Sequence, residues 1–135
     1  MTKNEIEIKV AEVVDYLRIT GAFLPNLRKV VERKVTAEAA KKSGIKVSGQ
    51  ELQKIADAFR LLNGLTTTKE TQKWLADNGL SLESFEEFLE TNILVSKFKE
   101  LLEKKASKTK YFSNPAVKTL IHDSIYQDWL AKNLE

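Results

Sequence analysis

The chain has 135 residues, of which 42% are hydrophobic and 30% are charged, with only 5 Gly and 2 Pro. This composition is typical of one globular helical domain and excludes a disordered or fibrous chain. The sequence contains no cysteine and one histidine, which excludes disulfides, thiolate metal sites and cysteine nucleophiles and fits a reducing compartment.

The net charge of +3 arises from 22 basic and 19 acidic residues that are largely intermixed, so the summed field is weak and does not demand a nucleic-acid partner. The first nine residues contain no continuous apolar segment, and no stretch approaches the ~18 apolar residues of a membrane span. We therefore expect a cytoplasmic protein without a membrane partner.

Two helices are predicted in the first third of the chain. The first covers residues 5–19 and ends at Gly21, and the second runs from about Pro25 to Gly44. Their apolar residues recur at i, i+3, i+4 and i+7, a spacing that places them on one helical face, and we expect these faces to point inward. The residues concerned are Val10, Val13, Val14 and Leu17 in the first helix, and Leu27, Val30, Val31 and Val35 in the second.

Helix caps separate the predicted helices in the middle of the chain. Residues 45–47 are predicted to be an extended link, with Ile45 or Val47 in the core, and Ser48 and Glu51 have the spacing of a capping box. A third helix is predicted to end at 63–64, and its apolar face comprises Leu52, Ile55, Ala56, Phe59 and Leu62. Thr67 with Glu70 repeats the cap pattern before a short fourth helix that contains Trp74 and Leu75 and ends at 78–79.

Ser81 is predicted to open the longest helix, in which acidic residues come first and lysines last, as the helix dipole favours. Its apolar side comprises Phe85, Phe88, Leu89, Leu94, Phe98, Leu101 and Leu102. Residues 106–114 are interpreted as a linker. Asn114 and Pro115 then begin a last helix, whose apolar residues are Val117, Leu120, Ile121, Ile125, Trp129 and Leu130.

Several of these signals occur together in a known family. The segment from about Ala39 to Leu102 contains an Ala-rich helix that leads into Gly-Ile-Lys-Val-Ser at 44–48, then Asn-Gly-Leu at 63–65 and Asn-Gly-Leu-Ser at 78–81 with Phe85. In this order it resembles the N-terminal helical domain of SurA-like and PrsA-like bacterial foldases, which flank parvulin-type peptidyl-prolyl isomerase modules. Residues 121–130 resemble the helix that follows that module and packs back on the N-terminal domain.

The resemblance implies an all-α fold of about six helices, with a foldase-like domain over 1–105 that a C-terminal helix at 115–135 completes. The linker at 106–114 then stands where the catalytic module would be. The sequence has no GGDLG-like glycine stretch and no paired histidines, so the resemblance implies the peptide-binding scaffold without isomerase activity.

Candidate chemical groups are few. His122 lies beside Asp123 and one turn before Tyr126, but one histidine without a nucleophile or a second base makes no catalytic triad. Di-iron helix bundles need Glu-x-x-His motifs from different helices, and the chain has none. The acidic residues at the start of the longest helix are therefore interpreted as a solvated face: Glu83, Glu86, Glu87 and Glu90. We expect no metal and no cofactor.

Basic residues are densest in the second helix, but no recognition helix or aromatic stacking surface accompanies them, so a nucleic-acid partner is not expected. The basic residues are Arg28, Lys29, Arg33, Lys34, Lys41 and Lys42. Large apolar residues are the stronger functional signal, because a concave apolar groove between helices is the default site for a peptide or a small molecule. The candidate binding residues are Phe23, Leu24, Phe59, Trp74, Phe88, Tyr111, Phe112, Tyr126 and Trp129.

These observations support three functional hypotheses. The first is a chaperone-like module that holds an apolar segment of a client polypeptide or peptide precursor in a helical groove. The second is a small enzyme that encloses an apolar small molecule and uses a desolvated carboxylate or tyrosine as acid or base. The third is a homodimer that exchanges its C-terminal helix across the linker.

Overall fold

A computed structural model describes residues 7–106 and 115–134 and contains six α-helices in that part of the chain, with no strand. The helices are α1 (Val10–Ile19), α2 (Phe23–Lys42), α3 (Gly49–Leu62), α4 (Thr68–Asp77), α5 (Leu82–Ala106) and α6 (Pro115–Asn133). The all-α prediction is confirmed. The predicted linker lies outside the described residues except for Ala106, which ends α5.

The chain divides into two compact units, residues 1–32 and residues 33–135. The described part of the first unit comprises α1 and the first half of α2. At their junction Gly21 has a φ of 79°, and the Ala22 N–H donates to the Leu17 carbonyl at 2.9 Å. A left-handed glycine that closes such a bond is the usual end of an α-helix, which confirms the predicted stop at Gly21.

The predicted inward faces of this first unit are wrong. α1 contains no buried residue, and α2 is buried only in its second half, at Thr36, Ala37 and Ala40. The apolar residues that were expected in the core are exposed: Val10 80%, Val13 48%, Leu27 44%, Val30 60% and Val31 41%. Helical periodicity shows that these residues share a face, but it does not say which molecule covers that face.

The start of α2 also differs from its prediction, since the helix begins at Phe23 and places Pro25 at its third position. This is still the first turn, where proline is tolerated because the missing N–H has no partner within the helix.

Side-chain caps define the start of α3 and α4 in the second unit. Ser48 Oγ accepts from the Glu51 N–H and the Glu51 carboxylate accepts from the Ser48 N–H, each at 3.1 Å, which confirms the capping box. Thr67 Oγ1 accepts from the Glu70 N–H at 3.1 Å. The Glu70 carboxylate, however, accepts from the N–H of Thr66 at 2.9 Å, so this second cap is not reciprocal as predicted.

The core of the second unit consists of two clusters of buried residues. One joins Ala37 and Ala40 of α2 to Leu94 and Phe98 of α5, and the other joins Leu75 of α4 to Phe85 and Leu89 of α5. Ile45 and Val47 both pack against the first cluster, which confirms the prediction for the link between α2 and α3. Because α5 contributes to both clusters, it is the shared wall of the unit.

The last helix packs back on earlier ones, as predicted. Trp129 of α6 meets Phe98 of α5 edge to face with ring centroids 4.8 Å apart, and Tyr126 Oη lies 3.2 Å from Thr36 Oγ1 of α2. Leu130 is 2% exposed. Three residues predicted on the apolar faces of this unit are exposed instead: Leu62 at 85%, Phe88 at 48% and Leu120 at 70%. The side chains of Val117 and Ile121 lie outside the described residues.

Truncation of α5 at its buried face should destabilise the protein strongly. Leu89 is 1% exposed, and we expect Leu89→Ala to lower the free energy of unfolding by about 3 kcal/mol, because it leaves a cavity in the core. Leu82→Ala is the control in the same helix, since Leu82 is 58% exposed and should change stability by less than about 0.5 kcal/mol. Chemical denaturation measures both, and equal losses would contradict the two-cluster core.

A second prediction concerns pH. The Lys97 ammonium and the Ser48 N–H both donate to the Glu51 carboxylate and lower its pKa from the ordinary value of 4.5. A carboxylate with a lowered pKa adds stability above its ordinary value, and this stability is lost as the pH falls through the folded-state pKa. Glu51→Gln should therefore weaken the loss of thermal stability below about pH 5.

Melting curves collected across this pH range measure the effect. Glu100→Gln, which removes an exposed carboxylate of α5, is the control and should leave the profile close to that of the native chain. An unchanged profile for Glu51→Gln would contradict the role of this contact between α3 and α5.

Candidate binding hollow

Three aromatic rings from three helices meet at one end of the second unit. Phe59 of α3, Trp74 of α4 and Phe85 of α5 lie edge to face, with ring centroids 5.5 Å apart for Phe59 and Trp74, 5.0 Å for Phe59 and Phe85, and 5.8 Å for Trp74 and Phe85. Such arrangements let the positive edge of one ring meet the negative face of another. The three helices are thereby fixed to one another around a small aromatic cluster.

An apolar cavity opens beside this cluster, and we call it the hollow. It has a volume of about 330 Å³. Its lining residues are Phe59, Trp74, Leu80, Ser84, Phe85 and Phe88. Phe85 is almost wholly buried, whereas Phe88 and Leu80 are 48% and 42% exposed. The hollow therefore has an aromatic interior and an accessible apolar rim.

The rim is shaped by the end of α4. Asn78 caps this helix, and the Leu80 N–H donates to the Leu75 carbonyl at 2.9 Å. This bond turns the chain back toward α5, whose first turn is capped by Ser81 Oγ accepting from the Ser84 N–H at 3.0 Å. Leu80 is thus held in a tight connection between two capped helices and forms part of the rim without entering the core.

Arg33 of α2 fixes the Phe88 side of the hollow. Its guanidinium carbon lies 4.4 Å from the centre of the Phe88 ring, and the group donates to the Phe88 carbonyl at 3.1 Å and to Asn92 Oδ1. A planar guanidinium can stack on a ring and donate two directed hydrogen bonds at once. Arg33 therefore holds the Phe88 ring in place. Its hydrogen bonds go to α5, and it does not line the hollow.

A second recess lies between α2 and α6 and also measures about 330 Å³. It is lined by Lys34, Val35, Glu38, Ala39, Lys42, Trp129 and Asn133. Trp129 forms an aromatic base, stacked against Tyr126 with ring centroids 6.5 Å apart. Because charged side chains surround that base, this recess is less suited to an apolar guest than the hollow.

The structure separates the predicted binding residues. Phe59, Trp74 and Phe88 come together in the hollow, whereas Trp129 lies in the second recess with Tyr126 stacked against it. Phe23 and Leu24 belong to the first unit, where the Arg18 guanidinium carbon lies 4.5 Å from the centre of the Phe23 ring. Tyr111 and Phe112 lie outside the described residues.

Three lining residues were not among the predicted ones: Leu80, Ser84 and Phe85. Phe85 has the spacing of a core residue and was predicted as one, and no sequence signal distinguishes a core ring that also borders a cavity. Leu80 follows the helix stop at 78–79, and an apolar residue directly after such a stop is the one signal that could have indicated the rim.

The titratable groups of the described residues lie outside the hollow. His122 Nε2 is 3.5 Å from Glu103 Oε2, so the histidine faces a carboxylate of α5. Lys73 has its pKa raised by the hydrogen bond and the charge of Asp77, a pair on the surface of α4. Among the described lining residues Ser84 is the one polar side chain, and the described part of the chain contains no group of three or more possible metal ligands.

The described part of the chain is an all-α domain with an apolar hollow between capped helices. The sequence matches the family described as the SurA-like N-terminal domain over residues 4–99. The chain therefore belongs to this family, as the resemblance indicated. No match was found among curated proteins or among solved structures. No described helix combines the length and the apolar character needed to cross a membrane.

Removal of the Arg33 guanidinium should loosen the Phe88 rim. Arg33→Met retains an apolar stem of similar length but removes the guanidinium N–H donors. We therefore expect the free energy of unfolding to fall by about 1 kcal/mol. The neighbouring Lys34→Met is the control, because Lys34 is exposed and should change stability by less than about 0.5 kcal/mol. Denaturant titration of both variants measures the difference, and equal stabilities would show that Arg33 does not anchor this rim.

Proposed function

We propose that this protein is a chaperone-like binding module that holds an apolar segment of a client polypeptide or peptide precursor. One observation carries the proposal: the hollow has an aromatic interior, an exposed apolar rim and no charged side chain among its described lining residues. Membership of the SurA-like N-terminal domain family supports a chaperone-type role.

The size of the hollow indicates what it would bind. About 330 Å³ is at the small end of the range for ligand pockets, and it suits one or two large aliphatic or aromatic side chains. Each such side chain gains about 1.5–3 kcal/mol when fully buried. Because the ordering of a flexible segment offsets much of that gain, we expect weak and tolerant binding, which suits a module that must release its client.

Exposed leucines continue the apolar surface along the helices that form the hollow. Leu62 follows Phe59 by one turn of α3 and is 85% exposed, and Leu82 precedes Phe85 by one turn of α5 and is 58% exposed. Residues three apart lie on the same side of a helix. A client could therefore extend beyond the hollow and contact these leucines, so the site favours a polypeptide segment over a compact small molecule.

The other hypotheses are not favoured by a specific feature of the described residues. An enzyme would need an acid or base in its cavity, and Ser84 is the one polar side chain of the described lining. In this chain α6 is packed through Trp129 and Leu130, so exchange of that helix is not needed to complete the fold. The cytoplasmic location and the lack of isomerase activity stay predictions from the sequence.

The proposal is tested with a permanently unfolded model client that lacks tryptophan, reduced and carboxymethylated ribonuclease A carrying a fluorescent label. Phe88→Ser and Leu80→Gln alter exposed rim residues, so the fold should survive. We expect each to weaken binding by about tenfold, since each removes the burial of one large side chain. Leu120→Gln is the control, because Leu120 is 70% exposed on α6 and lies outside the hollow.

Fluorescence anisotropy measures the binding, and circular dichroism verifies that each variant remains helical. The chain contains two tryptophans, so in a Trp129→Phe background the emission of Trp74 also reports whether the client enters the hollow. Binding that is equally strong in all variants, or a client that leaves Trp74 emission unchanged, would contradict this site.

A further inference from the structure

The recess between α2 and α6 is a second concave site, and the proposed client binding does not use it. It lies within the second unit, and it shares no lining residue with the hollow. Its floor is apolar and consists of three half-buried residues, Val35, Ala39 and Trp129. Its margin is polar and consists of four exposed residues, Lys34, Glu38, Lys42 and Asn133.

The floor is fixed before any ligand arrives. Ala39 and Trp129 both pack against the core cluster that joins α2 to α5, and the Trp129 ring meets Phe98 edge to face with centroids 4.8 Å apart. Asn133 Nδ2 donates to the Trp129 carbonyl at 2.8 Å, which stabilises the last turn of α6. A ligand on this floor therefore meets a preformed apolar surface and does not have to order it.

The charges of the margin are available to a ligand. Lys34, Glu38 and Lys42 are spaced by four residues along one side of α2. Among the residues that the structure describes, none of these three forms an ion pair. Two ammonium groups against one carboxylate give the margin a net positive charge, which is complementary to an acidic ligand.

We infer that this recess binds a short acidic segment of a partner polypeptide, with one apolar side chain on the floor and a carboxylate on each side of it. Lys34 and Lys42 are eight residues apart, which is about 12 Å along a helix axis. In an extended segment, residues four apart are separated by about 13 Å, and alternate side chains point to the same side. The pattern acidic-x-apolar-x-acidic therefore brings two carboxylates to the two lysines and the apolar side chain to Trp129.

Glu38 makes the pattern selective. It lies midway between the two lysines, so a carboxylate at the centre of the ligand would be repelled, whereas an uncharged central residue is accepted. A compact anion such as phosphate reaches one lysine at a time and leaves the floor uncovered. The volume of about 330 Å³ suits a single large side chain, and an aromatic one gains an additional ring contact with Trp129.

The experiment is an NMR titration of the ¹⁵N-labelled full chain with a short synthetic peptide. The peptide has blocked termini and the central sequence Glu-Ser-Phe-Ser-Glu. We expect saturable shifts of the Trp129 indole N–H signal and of the Val35 and Ala39 amide signals. Replacement of both peptide glutamates by lysine, or of the phenylalanine by serine, should each weaken binding by about tenfold.

Variants of the margin give effects of opposite sign. Lys34→Gln and Lys42→Gln should each weaken binding of the acidic peptide by about threefold, and Glu38→Gln should strengthen it by about twofold. Loss of the fold would not produce this pair of results. Lys54→Gln is the matched control, because Lys54 is exposed on α3 outside the recess and its replacement changes the net charge equally.

Equal affinity of the two lysine variants and the Lys54→Gln control would overturn the inference, and so would equally tight binding of the lysine-containing peptide. A shift of the Trp74 indole signal without one of Trp129 would also overturn it, because that would place the peptide in the hollow.

The recess and the hollow are tested separately. Phe88→Ser, which should weaken binding of the unfolded model client, is expected to leave the Trp129 titration unchanged. Lys34→Gln is expected to leave binding of that client unchanged. Failure of one site therefore does not imply failure of the other.

Discussion

The second unit depends on α5, because this helix forms the wall of both core clusters. With 25 residues it is about 37 Å long, longer than any helix that packs against it. Phe85 and Leu89 near its start bind α4 into one cluster, while Leu94 and Phe98 further along bind α2 into the other. A single helix that serves two clusters explains how a small domain gains a core without a sheet or disulfides.

The hollow follows from this arrangement. The short helix α4 covers the cluster of Leu75, Phe85 and Leu89 only over its ten residues. Helix α3 reaches the same cluster through Phe59 near its C-terminal end. The rings of Phe59, Trp74 and Phe85 pack on one another edge to face, and the hollow opens beside them. Arg33 adds the remaining constraint, since it ties the Phe88 backbone and ring to α2 and so keeps the rim open beside the cluster.

Much of the fold could be predicted from local signals. The caps at Ser48 and Thr67 and the stops at 21 and 63–64 involve atoms within a few residues of each other, so the sequence specifies them directly. The hollow was only partly predictable. Aromatic residues such as Phe59 and Trp74 could be identified as candidates, but their meeting depends on how three helices cross, and helix crossing is not encoded by local periodicity.

In the first unit, burial could not be predicted from the sequence. The periodicity of Val10, Val13, Leu27 and Val30 predicts a buried face, yet these residues are exposed in the single chain. The sequence pattern indicates that a helix face is apolar, whereas the structure shows whether the same chain buries that face. An apolar helix face that its own chain does not bury must contact either water or another molecule. Exposure to water costs about 25 cal/mol per Å² of apolar surface, whereas association costs rotational, translational and ordering free energy, so periodicity alone does not decide between the two outcomes.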